Sequence, residues 1–542
     1  MPFLATQHVD IPAKDILSWC YEEAEVDIDK PIYIDAADPS QSYSARQSKD
    51  VIRKLCAGFK AAGLKKGDVV CMHAFNSIDY PIIVNGIIAF GGIFSGTNPA
   101  YTSHEIAHAI RVGSISAFIA EPGLLANVLT AAAETNLPVS RIWAFDRTSD
   151  EKLPEGIASW RNLLKNGESD WERFEGLEQA KATEAVRLFS SGTTGLPKAA
   201  RISHHNIIAQ HHLTIEKRPF EVRRLIIMPL FHAGMVPNVH FASLKIRSPL
   251  YMMKRFDLET YMLNMERYQI NELVGAPPMI MAILETPAAR KYSLASVKYG
   301  LTAAAPLDKG TLARMKTLLL PGTPVTQTWG MTEMTCQAMG IRYPEDDDEG
   351  SVGYPMPNLD LKIIDEKGDD ITGYDVRGEL CVRGPIVFMG YWNQPDANNK
   401  DFDNEGYFRT GDIVHCSGRT KKWFIVDRKK ELIKVRGFQV APPELEGVLT
   451  SHPQIIDAAV IGVTPTKSGS ELPRAYVVRR PGKEGEKLTE KEVRAYVEER
   501  LASYKRLEGG VVFLQEIPKS PSGKILKRIL RERATKELGA KL

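Results

Sequence analysis

The sequence predicts an α/β fold: a large N-terminal domain of α/β layers carrying a small β-rich subdomain, then a small α+β C-terminal domain. Three observations carry this. Short apolar β-type runs alternate with helix-period segments as far as about residue 340, the pattern of layered, mostly parallel sheets. Between Leu361 and Val382 short strands with Gly/Asp turns take over, including Glu366-Lys367-Gly368-Asp369. From Asp427 the chain begins a further unit of about 110 residues, an ordinary domain size.

The elements follow in order. Ser48 to Ala62 places Val51, Ile52, Leu55 and Phe59 at helical spacing. Val69 to His73 is a strand after the turn Lys66-Gly67-Asp68. The most apolar stretch, Tyr80 to Phe94, is too short to span a bilayer and contains Asn85; it reads as a buried helix followed by a turn at Gly91-Gly92. Val186 to Phe189 is an apolar run feeding a loop, and Leu225 to Pro229 feeds Phe231-His232-Ala233-Gly234-Met235-Val236. Glu345 to Glu349 reads as a solvated acidic loop, and Glu490 to Ser503 as a helix of the last unit.

Composition is that of a soluble globular protein, with 43% hydrophobic and 25% charged residues. The net charge of +2 gives no broad electrostatic case for nucleic acid or a membrane surface. Six scattered cysteines without C-x-x-C spacing predict reduced intracellular thiols, with no disulfide framework or zinc site. Met1 to Asp10 has no basic, apolar secretory pattern.

The loop Ser190-Ser191-Gly192-Thr193-Thr194-Gly195-Leu196-Pro197-Lys198 holds the chemistry. Glycines let a backbone close on an anion, and hydroxyls and N–H groups donate to its oxygens. A Walker A loop needs its lysine directly after the second glycine. Here Leu196 and Pro197 intervene, so a P-loop kinase is disfavoured.

This loop resembles the phosphate signature of the adenylate-forming enzymes: acyl- and aryl-CoA synthetases, luciferases and adenylation domains. Further signatures of that family follow in order. They are Trp329-Gly330-Met331-Thr332-Glu333, Phe408-Arg409-Thr410-Gly411-Asp412, Asp427-Arg428-Lys429-Lys430, Lys434 to Val440, and Pro518 to Lys524. The segment Gly437 to Glu446 points to the branch with the 4-coumarate–CoA ligases and luciferases.

The resemblance implies an N-terminal adenylation domain over 1–427 and a mobile C-terminal domain over 428–542, with a hinge at Asp427–Lys430. It implies ATP, Mg²⁺ and CoA. Ser190, Ser191, Thr193, Thr194, Gly192 and Gly195 would cradle phosphates, with Lys198 adding charge. Glu333, with Thr194, would hold Mg²⁺, a hard cation that takes few protein ligands. Gln327, Thr328, Trp329 and Thr332 would meet the nucleotide, with Trp329 stacking on adenine where the family more often has Tyr. Ala304 and Ala305 stand where the family has a Gly-rich turn. Asp412 would accept from the ribose hydroxyls, with Arg428 nearby. Lys524 would stabilise charge during adenylation. After rotation about Lys430, a second face with Lys434, Gly437, Phe438 and Gln439 would serve CoA. Lys524, Lys434, Thr194 and Glu333 are thus the expected catalytic set.

The acid pocket would hold His232, Gly234, Met235, Asn238, Ala303 and Gly330. Gly234 stands where hydroxycinnamate-using relatives carry Tyr, which implies a roomier site. Asn238, four residues on, falls on the same face of a helix; it either contacts substrate or bonds within the fold. Amino-acid-activating relatives place an aspartate early in this segment, and His232-Ala233-Gly234 supplies none.

The expected reaction is AMP-forming ligation of an aryl, cinnamate-like or medium-chain acid to CoA. Loading of a carrier protein and luciferase-like oxygenation are the alternatives. Only 18 residues follow Lys524, which favours free CoA. The ending Ala540-Lys541-Leu542 resembles a peroxisomal address, implying the import receptor as partner and the peroxisomal matrix, otherwise the cytosol, as location.

Overall fold

Two seven-stranded sheets, each nearly all parallel, form the bulk of the molecule. In the computed structural model the described residues are 3–22, 27–146, 152–190, 197–286, 291–303, 307, 309–428, 431–435, 438–464, 471–501, 503–520 and 523–539. One sheet centres on Val69–His73, flanked in parallel by Ile93–Gly96 and Ile115–Ala120. Its edge is a hairpin in which Glu184–Ser190 pairs antiparallel with Lys198–Ser203. The other sheet runs in parallel from Pro31–Asp35 through Leu250–Met252, Arg224–Ile226, Glu272–Gly275 and Tyr299–Thr302 to Val325–Gln327. Parallel strands buried on both faces need continuous apolar runs, and Val69–His73 is buried throughout.

The predicted helix near residue 50 is Ala45–Ala61. It starts three residues early because Ser44 and Gln47 form a reciprocal capping box. Ile52, Leu55 and Phe59 are its buried face. The apolar stretch from Tyr80 divides: Asp79–Ala89 is a buried helix, whereas Ile93–Gly96 is a strand. Gly91, at φ +82°, makes the turn between them.

A four-stranded antiparallel sheet, Asp360–Ile364, Gly378–Arg383, Phe408–Cys416 and Trp423–Arg428, forms the β-rich part. The acidic segment beside it is not simply solvated. Asp347 is 1% exposed; its Oδ2 accepts from the Gly350 and Ser351 amides, and its Oδ1 from Ser351 Oγ and Lys422 Nζ. Buried donors at a turn turned this carboxylate inward.

Beyond it lie a two-stranded and a three-stranded sheet with their own apolar core around Val460 and Val477. The predicted helix there is Glu490–Glu498, capped by Thr489 and Glu492 but shorter than the sequence pattern. Among the described residues no helix is long and apolar enough to cross a membrane. All six cysteines are free.

Candidate active site

Ser190 and Lys198, the two ends of the phosphate-type segment, are register partners across the edge hairpin. Residues Ser191, Gly192, Thr193, Thr194 and Gly195 lie outside the described residues, as do Ala304, Ala305, Lys430, Gly437 and the terminal Ala540-Lys541-Leu542.

Ser190 is brought directly to Glu333, 143 residues away: its Oγ donates to Glu333 Oε1 at 2.6 Å. The Tyr391 hydroxyl donates to the same oxygen at 2.8 Å. Glu333, 3% exposed on the 3-10 turn Thr332–Met334, is thereby fixed beside the loop. Burial and the adjoining Glu333 charge push the Tyr391 phenol well above its ordinary range, so it stays a donor. Sequence reasoning missed Tyr391, because no spacing ties it to a carboxylate 58 residues upstream. Lys198 lies 4.5 Å from the Tyr391 ring and 3.7 Å from Asp401 Oδ2.

Two further motifs meet at Trp329. Its Nε1–H donates to Asp412 Oδ2 at 2.9 Å, with Trp329 8% and Asp412 4% exposed. An indole cannot copy a phenol's hydroxyl, but its N–H holds the ribose-motif carboxylate. Arg428 is the register partner of Asp412 on the neighbouring strand. Gln327 spends both ends of its amide on Leu307: Oε1 accepts from the amide at 2.7 Å and Nε2 donates to the carbonyl at 3.1 Å. It therefore acts as a brace for the segment that follows Ala303. Thr328 Oγ1 donates to the Met339 carbonyl, and Thr332 caps its own turn through the Thr335 amide. A Cβ on Gly330 would sit 1.8 Å from the Cys336 carbonyl oxygen, so only glycine fits.

The predicted pocket helix differs from expectation. Residues 230–235 are turns, and the helix begins at Val236 as a π-helix, Val236–Ala242, with Pro237 in its first turn. The i, i+4 argument for Asn238 does not apply in this geometry. Asn238 bonds within the fold, donating to the Gly234 carbonyl at 3.3 Å and reaching Cys336 Sγ at 3.7 Å. Burial pushes the Cys336 thiol up to about 12, so it stays neutral. His232 Nδ1 accepts from the Gly234 amide at 3.2 Å. Burial, and then the charge of Lys524, hold His232 below its usual value, as a neutral imidazole. Met235 is half-buried beside the core.

A cavity of about 310 Å³ opens at the C-terminal ends of strands from both sheets, lined by Asn76, Asn98, Phe231, Lys254, Arg255 and Gly523 among others. Crevices at strand C-termini are the usual ligand position in parallel α/β sheets. Gly523 brings the last unit's hairpin, with Lys524 next in sequence, to this crevice. Lys434 and Gln439 are register partners on the two-stranded sheet, as are Val435 and Phe438.

The chain matches the profile of the AMP-binding enzymes over residues 20–392 and that of the AMP-binding enzyme C-terminal domain over 444–524. It belongs to the AMP-binding enzyme family, as an acid–thiol ligase of the acyl-CoA synthetase kind. It is 49% identical to the phenylacetyl-CoA ligase epaB of Aspergillus niger, over 99% of this chain and 100% of that one. It is also 49% identical to the acyl-CoA ligase azaF of another strain of that species, over 98% and 100%. The ATP-bound MatB of Rhodopseudomonas palustris shares the fold at TM-score 0.84, covering 97% of this chain and 99% of that one, at 24% identity.

Proposed function

We propose that the protein converts an aryl acid, of the arylacetic or cinnamic kind, to its CoA thioester in two steps. A carboxylate oxygen attacks the α-phosphorus of ATP; the bond to the bridging oxygen breaks and pyrophosphate leaves. The CoA thiol then loses its proton and attacks the acyl carbonyl, and the bond to AMP breaks. The observation that carries this reading is the hairpin of the last unit, whose Gly523, next to Lys524, lines the crevice at the strand C-termini; the Lys524 charge also acts to lower His232. A mobile ammonium beside a neutral imidazole suits an incoming carboxylate and a phosphate gaining charge.

The expected Mg²⁺ fits Glu333. Its carboxylate is a hard ligand held by two donors on one oxygen, and Thr194 would complete a sparse protein set. No cluster of three His, Cys, Asp or Glu exists among the described residues, which suits an ion that keeps waters and phosphates as ligands. Bound there, the ion would neutralise phosphate charge.

The aryl preference is supported by the open Gly234 position and by the relative named a phenylacetyl-CoA ligase, while the absence of a carboxylate in His232-Ala233-Gly234 argues against an amino acid. The division at Asp427–Lys430, and rotation there to present Lys434 and its neighbours, belong to the same proposal. So does a peroxisomal location, which rests on Ala540-Lys541-Leu542 and is tested by a fluorescent fusion with that tripeptide free or deleted.

The deciding experiment supplies ATP, Mg²⁺, CoA and a panel of acids, and reads AMP release and thioester mass. Phenylacetate or cinnamates should lead the panel. AMP release without thioester would overturn CoA as acceptor, and leadership by long-chain acids would overturn the aryl assignment.

A further inference from the structure

Lys527 is a charged side chain where charge is costly. It begins the last helix, Lys527–Gly539, and is 7% exposed. Its Nζ lies 3.2 Å from Glu431 Oε2 and 3.1 Å from Glu446 Oε1. Desolvation opposes the ammonium, yet Glu446, Glu431 and then Asp427 more than reverse it and hold the lysine above its ordinary value. Buried ion pairs of this kind are weak stabilisers, but they fix geometry, and removing one partner strands the others.

The geometry becomes informative three residues upstream. Lys524 sits on a tight hairpin. Lys519 and Ile525 form an isolated antiparallel bridge; the Ser520 amide donates to the Lys524 carbonyl at 2.8 Å, and the Lys524 amide to Ser520 Oγ at 3.1 Å. One leg is pinned by Lys519 Nζ to Asp457 Oδ2 at 2.6 Å, on the strand Ile455–Val463. The other leg runs directly into Lys527. The carboxylates that pair with Lys527 come from Glu431, just after the Asp427–Lys430 segment, and from Glu446 on the helix Pro442–Thr450.

We propose that Lys527 is a positioning residue that ties the Lys524 hairpin to Glu431, just after the hinge, and to Glu446 of the helix Pro442–Thr450, and so sets where Lys524 stands during adenylation. This rests on the reading of Lys524 given under Proposed function. Without the tether, the hairpin keeps its internal hydrogen bonds but loses its fixed place relative to Glu431 and that helix. Thiolysis of a preformed acyl-adenylate, which Lys524 does not serve, is untouched.

The test separates the half-reactions in Lys527→Met, Lys527→Arg and Lys524→Ala. Acid-dependent pyrophosphate release should fall at least ten-fold in Lys527→Met and recover in Lys527→Arg, with thiolysis of supplied acyl-AMP within two-fold of the parent. Should Lys527→Met fail to fold, Lys527→Met/Glu431→Gln/Glu446→Gln removes the stranded charges, and it should show the same selective loss. Equal loss in both half-reactions of a folded variant, or parental pyrophosphate release in the triple variant, would overturn the tether. Lys524→Ala reads the underlying assignment: if it leaves pyrophosphate release intact, that reading falls, and the tether with it. If Lys524→Ala abolishes release while Lys527→Met does not change it, only the tether falls.

Discussion

The indole Nε1–H of Trp329 donates to Oδ2 of Asp412 at 2.9 Å, joining two motifs 83 residues apart inside a nearly closed interior. The indole proposed to stack on adenine and the carboxylate proposed to meet ribose are thus joined as one unit. Trp329→Phe keeps the face and removes the donor. Hydrogen bonds to a charged group contribute about 1.5–3 kcal/mol, so ATP affinity should fall ten-fold or more. Calorimetric titration with ATP checks this, and the KM for the acid should stay within two-fold. Unchanged ATP affinity would show that the bond does not order the ribose carboxylate.

Tyr391 and Ser190 share one oxygen of Glu333. Tyr391→Phe leaves Ser190 as the remaining described donor, and the carboxylate gains freedom. Mn²⁺ binding in the presence of ATP, followed by electron paramagnetic resonance, should weaken about ten-fold, in line with the loss of one charge-assisted bond. A variant that binds Mn²⁺ like the parent would remove Tyr391 from any role at this carboxylate.

Gly234 has room. A Cβ there would meet only His232, with Nδ1 at 3.4 Å, an ordinary contact. Gly234→Tyr should therefore fold, and its ring should occupy space used by the acid. The expected outcome is at least a ten-fold drop in kcat/KM for the bulkiest good substrate and a smaller drop for the smallest. If the ranking of acids does not move, this turn does not line the acid site.

Acid should destabilise the fold through two histidines of the helix His204–Thr214. Burial, with nearby cations adding, lowers His204 and His211 to about 3. The Ile16 amide donates to His204 Nδ1, which requires a bare nitrogen there. An unfolded histidine titrates near 6.5, so below that pH the unfolded chain binds protons that the folded chain refuses. Stability is full above about 6.5 and falls by up to about 1.4 kcal/mol per pH unit for each group as pH drops toward the folded value. The urea midpoint should decline between pH 7 and 5, and His211→Gln should flatten that decline. A midpoint independent of pH over this range would contradict neutral burial.

Sequence periodicity was enough for the layered sheets, because continuous apolar runs such as Val69–His73 admit few other fates. It was enough for the strand that ends at Ser190, because the apolar run Val186 to Phe189 precedes the loop. The π-helix was not legible: Pro237 and Asn238 sit in a pattern that a 3.6-residue period also accepts. Nor were Tyr391, Gln327 as a brace, or buried Asp347, since each depends on a partner far away or on a turn's orphan amides. Lys527 was hidden for a related reason: a lysine in a basic helix reads as solvated until the two carboxylates Glu431 and Glu446 close on it.

The π-helix over Val236–Ala242 also bears on how this enzyme could change its substrate over generations. A π turn holds one residue more than an α turn can accommodate. Deleting a single residue there would let the segment relax to α geometry and rotate every later side chain by about 100° around the axis. One codon lost would then exchange the groups that this segment turns toward its neighbours while leaving each of them chemically intact. Descendants could thus reach new acids in one step, by turning an existing surface rather than by accumulating point substitutions.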